Sequence, residues 1–272
     1  MLINHIKIAI RNLRTHKFFS LLNVFGLALG MSACLTVILI IQDQLSYDHF
    51  HPEPERVFRI YCQQEEGTKL ATTPYPIGDA LLRDFSVVES GVRLVRSIQG
   101  TDATTASNLT LPVSGFFTEP SFFKIFGFQL EAGNAATALS APNTIVLSKK
   151  TAERFFGTQN PIGQTLTLRD KGIYQITGVV APPPGKSHIE FDCLASASSL
   201  TAIEQGYKPE AAMEKVVENW ENRYMAYVYV RIGPEKTKAD LSKALAVIEK
   251  DRLNAGKTDK GVRYFAQNLG NI

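Results

Sequence analysis

The chain has 272 residues and a mass of 30.1 kDa, 44% of it hydrophobic and 20% charged, which suits one or two domains with a buried core and excludes global disorder. A mean hydropathy of -0.04 excludes a polytopic membrane protein within these residues. The formal charge of +3 is a local property. Residues 1–17 hold Lys7, Arg11, Arg14 and Lys17 and no acid, leaving 29 − 4 = 25 basic against 26 acidic residues, a net of −1. No basic groove of the kind nucleic acid needs is expected.

On a helical wheel Leu2, Ile6, Ala9, Ile10 and Leu13 share one face, opposite Lys7, Arg11 and Arg14. That pattern predicts an interfacial helix over residues 2–17, its cations against anionic lipid head groups. Phe18–Ile41 follows without a charge, and 24 residues suffice to span a bilayer. Basic residues precede this run and Asp43 follows it, so the positive-inside rule places the N-terminus in the cytoplasm and everything after Gln42 outside. The run exceeds the apolar stretch of a cleaved signal peptide. Met31-Ser32-Ala33-Cys34 approximates a lipoprotein box, yet the residues after Cys34 stay apolar. An uncleaved anchor is therefore expected. Gly26, Gly30 and Ala33 could admit a neighbouring helix.

After the anchor, a polar stretch with Pro52 and Pro54 leads into a strand over Val57–Cys62. Pro76 opens a helix to about Val88, with Ile77, Leu81, Leu82 and Phe85 on one side, and Gly91–Ile98 reads as a strand. Short β-like runs then occupy Leu109–Val113, Thr144–Ser148, Thr165–Arg169, Ile173–Val180 and Phe191–Ala195. Two short helices, Glu119–Phe126 and Ser148–Phe156, interrupt them, the second capped by Ser148. Tyr224–Ile232 is a strong strand. Pro234 begins a helix to about Asn254, with Leu241, Leu245 and Ile248 buried and Gly256 beyond its end, and Gly261–Gln267 is a final strand. Two β-α-β units thus bracket a mostly antiparallel insertion, an α+β architecture.

Catalytic constellations do not emerge. Gly185-Lys186-Ser187 resembles the end of a phosphate-binding loop, but position 180 is Val, and Pro182, Pro183 and Pro184 lack the N–H groups a cradle needs. Asp48, His49 and His51 crowd together without any supporting ligand pattern, so they read as polar loop residues and no metal or cofactor is expected. Cys62 and Cys193 could pair or could be two buried thiols. Phe116, Phe117, Phe122, Phe123, Phe126 and Phe128 read as core.

The order of segments resembles the N-terminal part of an ABC-transporter permease of the MacB/FtsX type, in the style common in Bacteroidetes. The carriers are IKIAIRNLRTHKFFSLLNVFGLALG, then SYDHFHPEPERVFRIY with its Tyr-Asp-x-Phe-His stretch. PSFFKIFGFQLEAGN, PNTIVLSKKTAERFFGTQNPIGQTL and ITGVVAPPPGKSHIEFDCLAS follow in the family's order. The resemblance implies an inner-membrane, non-catalytic subunit. Its periplasmic domain (42–272) would have a Porter-like part (55–99 and 201–272) and an inserted Sabre-like β-rich part (100–200). It implies a dimer mate and a separate ABC ATPase, and leaves room for a periplasmic adaptor. The work expected is movement of the exterior domain for export or extraction of a drug, peptide or lipoprotein. The family continues into further membrane helices, so the sequence is expected to be a piece of the whole. Within it, Gln42–Arg56 would be the stalk, with Tyr47, Phe50 and His51 passing on helix displacement. A single-pass ligand-binding sensor is the alternative, though only 17 residues precede the anchor.

Overall fold

The computed structural model describes residues 2–64, 66–206, 215–254 and 261–272, and separates into two units, Met1–Tyr47 and Asp48–Ile272. The first unit is two helices, α1 (Leu2–Thr15) and α2 (Lys17–Leu45), joined at His16, whose backbone is not helical. Lys7, Arg11, Arg14 and Leu13 are exposed, while the side chains of Leu2, Ile6, Ala9 and Ile10 lie outside the described residues. Within α2, Lys17–Gln44 is long and apolar enough to cross a membrane. At ~1.5 Å per residue it exceeds the roughly 30 Å hydrocarbon core. Two of its hydroxyls are satisfied within the helix: Ser32 donates to the Ala28 carbonyl and Thr36 to that of Ser32, both at 2.8 Å.

The second unit is built on one continuous sheet. At one end lie β1 (Val57–Gln63), β3 (Val88–Thr105), β10 (Ala226–Ile232) and β11 (Arg263–Asn268), in the order β11-β1-β10-β3, all antiparallel to their neighbours, and the two-residue β2 (Lys69–Leu70) pairs with the end of β1. The two β-α-β units are therefore interleaved: β10 of the second lies between β1 and β3 of the first, a split arrangement. Helices α3 (Pro76–Asp84) and α7 (Lys238–Asn254) cover one face. There Ile77 and Leu81, with Leu241, Leu245 and Ile248, pack on Phe58, Ile60, Val228 and Val230. The other face, from Val57, Val92, Leu94 and Tyr229, packs on the aromatics of α4 (Ser121–Phe126).

Beyond this end the order runs β3-β4-β9-β6-β8-β5. It is formed by β4 (Thr110–Thr118), β5 (Leu130–Gly133), β6 (Thr144–Ser148), β8 (Gly172–Val180) and β9 (Cys193–Ser196), with β7 (Thr165–Leu168) pairing β3 and β8. Pairings here are antiparallel except β4 with β9 and β6 with β8. The parallel β4–β9 contact is close at Gly115, where a Cβ would sit 1.9 Å from the Cys193 carbonyl oxygen. Only glycine fits there. Helix α5 (Lys149–Phe156) is capped by the Ser148 hydroxyl, which accepts from Thr151 N at 3.2 Å, and the short α6 (Leu200–Gln205) follows β9.

Several elements depart from the sequence reading. Helix α3 stops at Asp84 because Phe85 is already extended (φ -133°, ψ 113°), and Leu82 is 41% exposed. Strand β3 is 18 residues long: its first part pairs with β10 and its second with β4 and β7, so one strand serves both ends. Helix α7 begins at Lys238, four residues after Pro234. Thr237 sets that start by a reciprocal cap, its N donating to Asp240 Oδ2 (3.1 Å) and its hydroxyl accepting from Asp240 N (3.3 Å). Gly256 lies outside the described residues. Cys62 and Cys193 are both buried, free, and in separate clusters of the core, so they do not pair. Phe122, Phe123, Phe126 and Phe128 are core as expected, Phe117 joins a different cluster, and Phe116 is half-buried.

Candidate functional site

The polar cluster of the second unit starts at its first residue. Asp48 adopts a left-handed backbone (φ 61°), a conformation open to Asp, and is 8% exposed. Its N–H donates to the Lys186 carbonyl at 2.8 Å. Its carboxylate accepts from the Ser187 hydroxyl (2.7 Å), the His188 N–H (3.1 Å), His188 Nδ1 (2.7 Å) and His51 Nε2 (2.8 Å). Burial alone would push this carboxyl up. The hydrogen bonds from His188, His51 and Ser187, with the charge of His188, more than offset it and hold Asp48 well below the usual carboxylate range.

Each imidazole is held at its outer nitrogen too. His51 Nδ1 lies 2.6 Å from the Phe126 carbonyl, at the C-terminus of α4, and His188 Nε2 lies 3.0 Å from the Tyr229 hydroxyl on β10. For His188 either role at Nε2 is open, because the Tyr229 hydroxyl can donate to it or accept from it. His51 differs. Both of its partners only accept, so its two nitrogens satisfy them only if both carry a proton, or if another cation replaces one of those protons. Its side chain has no solvent exposure.

Apolar contacts seat this cluster. Phe50 packs edge-on to Phe128 (5.3 Å between centroids) and beside His51 (4.4 Å). Gly127 has φ 72°, and a Cβ there would come 2.7 Å from Pro52 Cδ. The turn over residues 48–52 is therefore clamped between α4 and the loop 185–188. Ser187 donates to the carboxylate and not to an imidazole, so the group is not arranged as a Ser-His-Asp relay.

The residues singled out from the sequence are distributed as follows. Phe50 and His51 meet in this cluster, whereas Tyr47 belongs to the first unit, its N–H donating to Gln44 O at 3.4 Å. Lys7, Arg11, Arg14 and Lys17 stay exposed along α1 and the start of α2. Gly26, Gly30 and Ala33 are exposed on α2, and a Cβ on either glycine would meet nothing within 4 Å. Ser187, His188 and Tyr229 were not anticipated. The loop dismissed as a phosphate cradle is the partner of the Asp48 turn, and the only signal was that both stretches sit in characteristic blocks of the resemblance.

Fold and anchor together define a mixed α/β, β-rich domain behind one apolar N-terminal helix. A family model for the MacB-like periplasmic core domain matches residues 20–248, and the chain belongs to that family. Three solved structures share the fold. A domain assigned to a permease protein of Porphyromonas gingivalis has a TM-score of 0.64 at 21% identity, over 82% of this chain and 94% of that one. The periplasmic region of MacB from Actinobacillus actinomycetemcomitans has 0.52 at 15%, over 79% and 89%. The extracellular domain of the noncanonic ABC-type transporter YknZ from Gram-positive bacteria has 0.51 at 14%, over 78% and 100%. No curated protein matches the chain. Family and anchor support a membrane-attached periplasmic domain of ABC-permease type at the inner membrane.

Proposed function

We propose that this chain is the anchor and periplasmic part of a permease subunit whose exterior domain is moved by a separate ABC ATPase. The N-terminus would be cytoplasmic, with Lys7, Arg11, Arg14 and Lys17 at the lipid head groups and Gly26, Gly30 and Ala33 facing a dimer mate or another helix. Residues 55–99 and 201–272 would form the Porter-like part and 100–200 the Sabre-like part. The cargo would be a drug, peptide or lipoprotein, delivered with or without a periplasmic adaptor.

One observation carries this reading. Asp48, three residues beyond the last residue of α2, is bound by five hydrogen bonds to groups of the folded unit: its N–H to Lys186 O and its carboxylate to Ser187, His51 and His188. A flexible tether would dissipate a displacement of the helix end, whereas a hydrogen-bonded, ring-packed turn passes it on. Residues Phe50 and His51 would then serve as a fixed mount, with Tyr47 leading into it.

The test is affinity purification of the natural full-length gene product in detergent, with mass spectrometry of what accompanies it. An ABC ATPase subunit is expected to co-purify. Its absence would remove the coupled-permease reading and favour a tethered ligand-binding module.

A further inference from the structure

The geometry points to a divalent transition-metal site, of the class that takes Zn²⁺, formed by Asp48, His51 and His188. It goes beyond the permease reading and stands whether or not an ATPase co-purifies. One carboxylate oxygen and one ring nitrogen from each histidine lie within 4.8 Å of one another. The inner nitrogens, His51 Nε2 and His188 Nδ1, converge on the two oxygens of Asp48 at 2.8 and 2.7 Å. Imidazole and carboxylate are ligands that zinc accepts in a tetrahedral set, at bond lengths of roughly 2.0–2.1 Å. Seating an ion at those lengths requires the ligand atoms to part by about half an ångström.

Two independent features separate this cluster from an ordinary ion pair. The outer nitrogens are tied as metal-bound histidines are tied: a ligating imidazole donates its second N–H to a carbonyl, carboxylate or similar acceptor. Here the Phe126 carbonyl and the Tyr229 hydroxyl stand in those places, at 2.6 and 3.0 Å. A neutral His51 bonded to a metal through Nε2 keeps its Nδ1–H for Phe126, which resolves the conflict of a ring between two acceptors without a buried imidazolium. The second feature is positioning. Asp48 is fixed by the Ser187 hydroxyl and the His188 N–H, and His188 follows three consecutive prolines that stiffen the loop. The His188 side chain is 23% exposed, leaving an approach for the ion and a water as fourth ligand. A bound ion would join the turn after the membrane helix to the loop 140 residues away more firmly than hydrogen bonds do.

The whole chain, purified in detergent and stripped with chelator, is titrated with ZnCl₂, desalted and assayed for metal. One zinc per chain is expected, with a raised melting temperature. His188→Gln, which keeps a donor toward Asp48 but not the ligand, is expected to weaken binding by at least tenfold and to lose the rise in melting temperature that zinc gives the parent over its own chelated form. Zinc held equally by the His188→Gln chain would assign it to the exposed His5, His16 and His49 and overturn the site. A Co²⁺-loaded parent chain, which needs no variant, is expected to show strong visible d–d bands of a tetrahedral ion. The weak spectrum of a hydrated octahedral ion would overturn it as well.

Discussion

The Asp48 carboxylate and the His188 imidazole, 140 residues apart, meet at 2.7 Å, and this contact ties the residue that opens the folded unit to a loop of the β-rich end. Asp48→Asn keeps the left-handed backbone that Asn tolerates, removes the charge and replaces one accepting oxygen with an NH2 donor. It should destabilise the folded unit by about 1–3 kcal/mol, because the neutral amide pairs poorly with two imidazoles. Asp48→Ala should cost about 3–5 kcal/mol, since it leaves buried donors without an acceptor. Chemical unfolding of the chain in detergent measures both, and equal melting of all three proteins would deny the turn a structural role.

Gly115→Ala tests the parallel β4–β9 seam. The obstacle is the backbone carbonyl of Cys193, 1.9 Å from the new Cβ, and backbone cannot swing aside as a long side chain would. A loss of about 3 kcal/mol or more is expected. Gly26→Ala, whose Cβ meets nothing, should leave unfolding of the exterior unit unchanged.

Burial pushes the Cys62 thiol up from 9.0 to about 11, against a smaller opposing pull from Arg223. A raised folded value means that the folded state holds the proton more tightly. This contribution is complete below pH 9 and is lost as pH rises toward about 11. Unfolding free energy should therefore decline over that window, and decline less in Cys62→Ala. A water-soluble thiol reagent at neutral pH should reach Cys62 and Cys193, both buried, only after unfolding, while Cys34 lies within the Lys17–Gln44 span and is shielded by the detergent.

How far these features could be read beforehand depends on the reach of the interactions. Strand β6 and the Ser148 cap are legible because a short apolar, β-branched run and a capping side chain act over a few residues. The mispredicted end of α3 follows from Phe85 turning to extended backbone, which the helical spacing of Leu82 and Phe85 concealed. The interleaving of β10 between β1 and β3 has no local signal, since each strand shows only that it is apolar. Asp48 and His51 stand beside His49 in the sequence without a zinc-ligand motif to support them. Their partner, His188, arrives through the fold, and the dismissed Gly-Lys-Ser loop carries it.

Gly30→Leu tests the packing role proposed for the small-residue face of α2. It should weaken assembly in the membrane, read by cross-linking, and leave the exterior unit's unfolding curve unchanged. Normal assembly with the bulky residue would count against that role.

The central claim is that ATP-driven movement reaches the exterior domain through the Asp48 turn. The direct measurement uses the full-length protein with its ATPase in lipid nanodiscs, carrying Cys34→Ala and a spin label at Ala106→Cys in the exposed connection between β3 and β4. Pulsed electron-spin resonance then reads the distance between the two labels of the dimer. The account predicts a distance distribution that changes when ATP and Mg²⁺ are added, and a smaller change in Asp48→Asn. A distribution identical with and without ATP would contradict it.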